Sequence, residues 1–249
     1  MYIFVMIMTF LLGTILMSFL GMLVYRMPVI MEWRETTGPH PTDIFSRSRC
    51  EYCGRVIPFI FIIPLFGYFF CRGRCYYCKD KVSLVYPFME LLGGIIFVGF
   101  FAWLGLSGIV SATLVIVLIF IAWMDFNETW IPLVVTLPLF WVGLCFSYYQ
   151  SDANARVMGA ALGFFVSYLS MAVISYFKKK DVVAGGDIAL ITCAGAWLGI
   201  DIMPEFLILV AVIFIIHAIP YRIKGEMYVP MGPAICLGFV VCIVQQLIS

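Results

Sequence analysis

Eight apolar runs limit what this chain can become more than any other feature. They fall at residues 2–25, 84–105, 108–124, 131–149, 157–177, 187–200, 204–221 and 229–248. A helix needs about 20 apolar residues to cross a bilayer. Inside the hydrocarbon every backbone N–H and C=O must be paired internally, which a helix achieves by itself. The chain is 64% hydrophobic and 12% charged, whereas a soluble domain is about half apolar and about a quarter charged. The sequence therefore predicts an all-α polytopic membrane protein of about eight transmembrane helices. The sixth run is short, which implies a tilted or partly re-entrant helix, or a start a little before Asp187. The first run is long enough to span, and no small-residue cleavage site precedes Arg26.

One polar stretch interrupts the pattern, from Arg26 to Val82. Its orientation follows from the bias of Lys and Arg towards cytoplasmic loops. With the N-terminus outside, the cytoplasmic segments carry Arg26, Arg34, Arg47, Arg49, Arg55, Arg72, Arg74, Lys79, Lys81, Lys178, Lys179, Lys180, Arg222 and Lys224. These are 14 of the 15 basic residues, and only Arg156 falls on the other side. The opposite orientation reverses the ratio. A net charge of +1 is no argument for nucleic acid, and none is expected as a partner. The lipid bilayer is.

Five of the nine cysteines lie in the polar stretch, as Cys50-Glu-Tyr-Cys53 and Cys71-Arg-Gly-Arg-Cys75-Tyr-Tyr-Cys78. Each C-x-x-C turn presents two thiolates to one ion, and two such turns complete a tetrahedron. A reducing cytosol disfavours disulfides, so structural zinc on Cys50, Cys53, Cys75 and Cys78 is expected, with redox-active or free thiols as the competing reading. Cys71 is a spare that could replace Cys75 or stay free. A metal would also help so small a loop to fold. Cys145, Cys193, Cys236 and Cys242 lie singly in apolar runs and read as buried small hydrophobes.

Two acidic residues stand out. Asp125 ends the third run, and Asp187 follows Ala184-Gly185-Gly186 at the mouth of the sixth. A carboxylate at a membrane helix is costly and marks function by default. The orientation above puts both at the cytoplasmic ends of their helices, at similar depth. Two carboxylates about 3 Å apart share a proton and titrate as a unit. One can then activate water while the other polarises a scissile carbonyl, which is aspartic-protease chemistry. The competing class is an ion-coupled transporter using the pair as a proton relay, which would place the charges nearer the bilayer middle. Glu128 competes with Asp125 but reads as a loop residue. Asp181, Asp201 and Glu205 read as solvated, and His217 as a packing residue. Glu90 falls inside the second run and needs a partner, either a cationic ligand or an arginine.

In order along the chain, these segments resemble the type IV prepilin peptidases, bifunctional leader peptidase/N-methyltransferases of the GxGD intramembrane aspartic protease type. Ser18-Phe-Leu-Gly-Met-Leu-Val-Tyr-Arg-Met-Pro28 resembles that family's opening segment. The two C-x-x-C pairs resemble its zinc-binding loop, and Tyr86-Pro-x-x-Glu90-Leu91 its entry to the second span. Asp125 before Ile131-Pro132, and Gly185-Gly186-Asp187, resemble its two catalytic aspartates. Pro230-Met-Gly-Pro233 resembles its last-span motif. The resemblance implies catalytic Asp125 and Asp187, structural zinc, and S-adenosylmethionine as methyl donor, with Glu90 the candidate residue towards it. It implies substrates that are type IV prepilins or secretion pseudopilins, cut after a glycine ahead of a hydrophobic helix and then methylated on the new N-terminal amine. It implies residence in the bacterial inner membrane with a periplasmic N-terminus. The chain departs from the family pattern at Ala184, Ala189, Leu133, Gly21 and Ile62, the last two near regions linked to methyl transfer. The expected organisation is a first helix over 1–25, a methyltransferase-associated zinc loop over 26–83 and a peptidase domain over 84–249.

Overall fold

The computed structural model describes residues 2–31, 43–50, 52–147, 149–150, 152–179, 184–225 and 228–248. Among these, the eight apolar runs form eight helices: α1 (Tyr2–Ile30), α3 (Val85–Leu104), α4 (Gly108–Glu128), α5 (Leu133–Phe146), α6 (Ala153–Lys178), α7 (Gly185–Leu198), α8 (Met203–Ile223) and α9 (Gly232–Ile248). A five-residue helix, α2 (Phe66–Phe70), lies in the loop before α3. By length and composition, α1, the Val85–Glu128 stretch, α6 and α8 are apolar enough to cross a membrane; α5, α7 and α9 are shorter apolar helices. Of the residues invoked from the sequence, Arg34, Lys180 and Asp181 lie outside the described set.

The chain divides into two compact units, Met1–Phe120 and Ile121–Ser249. In the first, α1 packs against α3 through small residues. A Cβ on Gly93 would stand 2.6 Å from the Met17 Cβ and 2.7 Å from the Gly13 carbonyl oxygen. Such close backbone approach is how apolar helices associate in lipid, where burial gives no driving force between them. The helix α1 also runs past Tyr25 to Ile30, one turn beyond the apolar run. Arg26 permits this, because its Nη1 donates to the carbonyls of Ile44 (2.6 Å) and Ser46 (2.7 Å). Its charge is thus held by loop dipoles and the residue is buried.

In the second unit α7 is the central element. Ile188, Leu190, Ile191 and Cys193 to Leu198 are all buried, with α5, α6 and α9 packed around it. At 14 residues it is about 21 Å long, less than a bilayer core of about 30 Å. Its start at Gly185 places the beginning just before Asp187, as the short sixth run suggested. Where α6 meets α7, a Cβ on Gly159 would stand 2.6 Å from the Gly195 carbonyl oxygen. Trp197 Nε1 donates to the Leu139 carbonyl at 2.9 Å, and Ser147 Oγ donates to the Trp197 carbonyl at 2.7 Å. The helix stops at Gly199, whose φ of +77° suits glycine.

Candidate active site and metal centre

Within the second unit, α4 delivers Asp125 one turn before its end. The helix closes at Thr129, which adopts a left-handed φ of 52° while its N–H donates to the Asp125 carbonyl at 2.8 Å. Asp125 is 4% exposed. Its Oδ2 accepts the Gly232 N–H at 2.7 Å. Gly232 is the first residue of α9, so its amide has no partner within its own helix and is free to donate elsewhere. The partial positive charge of a helix N-terminus favours a carboxylate there. Only glycine fits, since a Cβ at 232 would lie 2.7 Å from Asp125 Oδ2. The following Pro233 sits in the first turn, where a missing N–H costs nothing. From sequence, the Pro230-Met-Gly-Pro233 motif reads only as a likeness to a last-span motif, without this role. Its glycine and prolines signalled a helix start, but nothing in them named the carboxylate that the start would meet.

Asp187 is half-buried in the first turn of α7. The two glycines before it do different work. A Cβ on Gly186 would stand 3.0 Å from the Ile131 Cβ, so the turn is pressed against the segment that follows Asp125, whereas Gly185 has open space. Asp187 and Asp125 lie within electrostatic range of each other, although 61 residues separate them in the chain. The buried Cys236 of α9 is in range of both. So is the α8 residue His217 with respect to Asp125; its ring lies 5.2 Å from that of Tyr221, and its Nε2 is buried without a hydrogen bond among the described residues. Glu128 is half-buried at the end of α4, and Asp201 is exposed. Glu205 accepts from Gln245 Nε2 at 3.0 Å.

Within the first unit, the two C-x-x-C segments fold into matching turns. Cys50 N–H donates to the Arg55 carbonyl and Gly54 N–H donates back to the Cys50 carbonyl. Cys75 N–H likewise donates to Asp80 and Lys79 N–H to Cys75. Gly54 and Lys79 occupy equivalent positions, with φ of 68° and 65°. The Sγ atoms of Cys50, Cys53, Cys75 and Cys78 all lie within 4.8 Å of one another, and Cys50 and Cys78 are 3.7 Å apart. Tetrahedral Zn–S bonds of about 2.3 Å give S–S separations of about 3.8 Å, so the four thiols fit such an ion. Burial raises the Cys75 thiol, but the amides of Cys78 and Tyr77 and the neighbouring thiols more than offset it and bring it down to about 7. Cys71 is apart from the group, with its Sγ 3.5 Å from the Tyr68 carbonyl.

Glu90 has two partners in the same unit, neither an arginine. Ser18 Oγ of α1 donates to Oε1 at 2.6 Å, and the Leu65 N–H donates to Oε2 at 2.7 Å. Leu65 has a φ of 62°, a left-handed conformation costly for a leucine. The carboxylate thus ties the loop, α1 and α3 together.

Two family models match the chain. Residues 11–104 match the bacterial peptidase A24 N-terminal domain, and residues 112–219 match the type IV leader peptidase family. Among curated proteins, the chain is 33% identical to a prepilin leader peptidase/N-methyltransferase of Neisseria gonorrhoeae, covering 91% of this chain and 86% of that one. It is 31% identical to one of Vibrio cholerae, covering 91% of each. It is 27% identical to a type 4 prepilin-like proteins leader peptide-processing enzyme of Escherichia coli, over 94% of this chain and 91% of that one. No solved structure matches.

Proposed function

Because the chain belongs to the type IV leader peptidase family, we propose that Asp125 and Asp187 are the carboxylate pair that hydrolyses the leader of a prepilin or pseudopilin. The observation that carries this reading is the convergence of two carboxylates from α4 and α7, one of them tied to the first amide of α9. The oxygen of Asp125 that accepts the Gly232 N–H is the poorer seat for a shared proton. That leaves the proton to the outer Asp125 oxygen or to Asp187. The ionised carboxylate takes a proton from water as it attacks the peptide carbonyl. The protonated one hydrogen-bonds the carbonyl oxygen and then passes its proton to the leaving amine. A substrate that is itself a membrane helix behind a basic leader requires such a pair at the membrane boundary. The Lys and Arg distribution supports the cytoplasmic side for that boundary, and membership of the family supports the inner membrane, with the N-terminus periplasmic.

The relatives are named for N-methyltransferase activity as well, and we assign the same second reaction to this enzyme, with S-adenosylmethionine as donor. A sulfonium supplies an electrophilic methyl group and carries a positive charge but no N–H or O–H. Glu90, whose oxygens already hold Ser18 and Leu65, can therefore meet it by charge alone. Cys50, Cys53, Cys75 and Cys78 would hold a structural zinc ion, closed to substrate by four thiolates. The functional division then follows the chain: first helix 1–25, methyltransferase-associated loop 26–83, peptidase 84–249.

The test combines purified protein, a prepilin and labelled S-adenosylmethionine, reading the mass of the product N-terminus. Asp125→Asn and Asp187→Asn should each lower cleavage by at least about 10²-fold while the protein stays inserted. Normal cleavage by either variant, or proton flux in liposomes without cleavage, overturns the proposal.

A further inference from the structure

The polar stretch between α1 and α3 contains a segment unlike the rest of it. From Ile57 to Cys71 the chain carries no charge, and Phe59–Phe70 reads Phe-Ile-Phe-Ile-Ile-Pro-Leu-Phe-Gly-Tyr-Phe-Phe. An apolar run of about 10–14 residues belongs in a protein core, in a re-entrant segment or at a membrane interface. Burial excludes the core. Phe59 is 77% exposed, Phe69 71%, Phe70 61% and Phe66 55%, and Ile60, Ile62 and Ile63 are exposed as well. So large a contiguous apolar surface marks an interaction site.

Two further observations say what covers it. The first is depth. The Leu65 amide is fixed to Glu90, five residues beyond the Val85 start of α3. At 1.5 Å per residue that is about 7 Å along the helix axis, within the stretch apolar enough to cross a membrane. Leu84, just before α3, and the α3 residues Val85, Phe88 and Leu91 are exposed too. The second is charge. Arg55 precedes the segment, while Arg72, Arg74, Lys79 and Lys81 follow it. Aromatic side chains flanked by cations suit the boundary between acyl chains and anionic headgroups.

We infer that the Phe59–Phe70 segment is an interfacial element immersed at the headgroup–acyl boundary of an anionic bilayer, so that the cysteine centre is held against the membrane rather than hanging free of it. The strained Leu65 backbone and the short α2 that follows it are the turn by which the chain enters and leaves the bilayer surface. The Glu90 carboxylate sets how deep that turn sits. This inference does not depend on the peptidase reading.

The test uses full-length protein in nanodiscs containing phosphatidylglycerol, with Phe69→p-benzoylphenylalanine and Phe70→p-benzoylphenylalanine made singly. After irradiation without substrate, mass spectrometry should find lipid-mass adducts at both positions, several-fold above protein–protein products. Thermal stability equal to the parent's shows that the probes leave the fold intact. Adducts to this chain's own residues in place of lipid would mean that the segment packs on the protein. Products formed only when prepilin is added would mean that it is a substrate surface. Either result, or no adduct at all, overturns the inference.

Discussion

The contact between Gly232 and Asp125 gives the sharpest prediction. In Gly232→Ala, the added Cβ would start 2.7 Å from Oδ2, 2.8 Å from Cβ and 2.9 Å from Cγ of Asp125. Unstrained carbon contacts lie at about 3.5–4.0 Å, so α9 and the carboxylate must part by roughly 1 Å. The N–H···O bond, now 2.7 Å, is then lost or badly bent. A hydrogen bond to a charged group contributes about 1.5–3 kcal/mol, and about 1.4 kcal/mol is tenfold in rate. A misplacement near 1 Å at the proposed catalytic carboxylate carries a similar penalty of about 10². Gly232→Ala should therefore lower kcat for leader cleavage by roughly 10- to 100-fold. KM should stay near the parent's, because the Gly232 amide faces the carboxylate. The assay is cleavage of a purified prepilin, with methylation of pre-cleaved pilin by the same preparation as the control. Cleavage within about twofold of the parent would refute the reasoning. Equal loss of both activities would show a general folding defect and refute the specific role.

Other consequences can be checked alongside. Serine at any one of Cys50, Cys53, Cys75 or Cys78 should reduce bound zinc measured by elemental analysis, whereas Cys71→Ser should leave it unchanged. Thiolates must be deprotonated to bind metal, so acidification should release the zinc with uptake of protons by the cysteines; a zinc content independent of pH would contradict this. Glu90→Gln should lower methylation of pre-cleaved pilin more than leader cleavage, by comparison of the two rates. Gly195→Ala drives a methyl group into the Gly159 carbonyl; overpacking of this kind costs about 1–3 kcal/mol and should lower Tm by several degrees.

The helices were legible because their signal is local: each of the eight long apolar runs is a helix, with ends shifted by a few residues. The largest shift, α1 reaching Ile30, depends on carbonyls of Ile44 and Ser46, which no inspection of the run itself could supply. The cysteine centre was legible for the same reason, since each C-x-x-C turn is built from six consecutive residues, Cys50 to Arg55 and Cys75 to Asp80. The site around Asp125 was only half legible. Two aspartates at helix ends suggest a pair, but the Gly232 contact is made by a backbone amide 107 residues away, and an amide leaves no mark in residue type. Glu90 shows the same limit, since its need for a partner was readable and the Leu65 amide was not. The uncharged Phe59–Phe70 run was hidden by the charges on either side of it, which made the whole stretch read as polar.

The glycine contact between α6 and α7 has a mechanical consequence. Near Gly195, α7 meets α6 backbone to backbone, and Trp197 and Ile200 are tied to Leu139 and Ala155 by hydrogen bonds. At the other end a Cβ on Gly185 would meet open space, and one on Gly186 would stand 3.0 Å from the Ile131 Cβ. The clamp extends back to Ile191, whose carbonyl oxygen would lie 2.9 Å from a Cβ on Gly163 of α6. The helix is thus a short cantilever with Asp187 at its tip, four residues or about 6 Å beyond the clamp. Its root cannot rotate or slide without separating two carbonyl-lined backbones. Any adjustment of Asp187 to an arriving substrate must therefore be a deflection of the tip, and the stiffness of that deflection is set by glycines behind the carboxylate they aim.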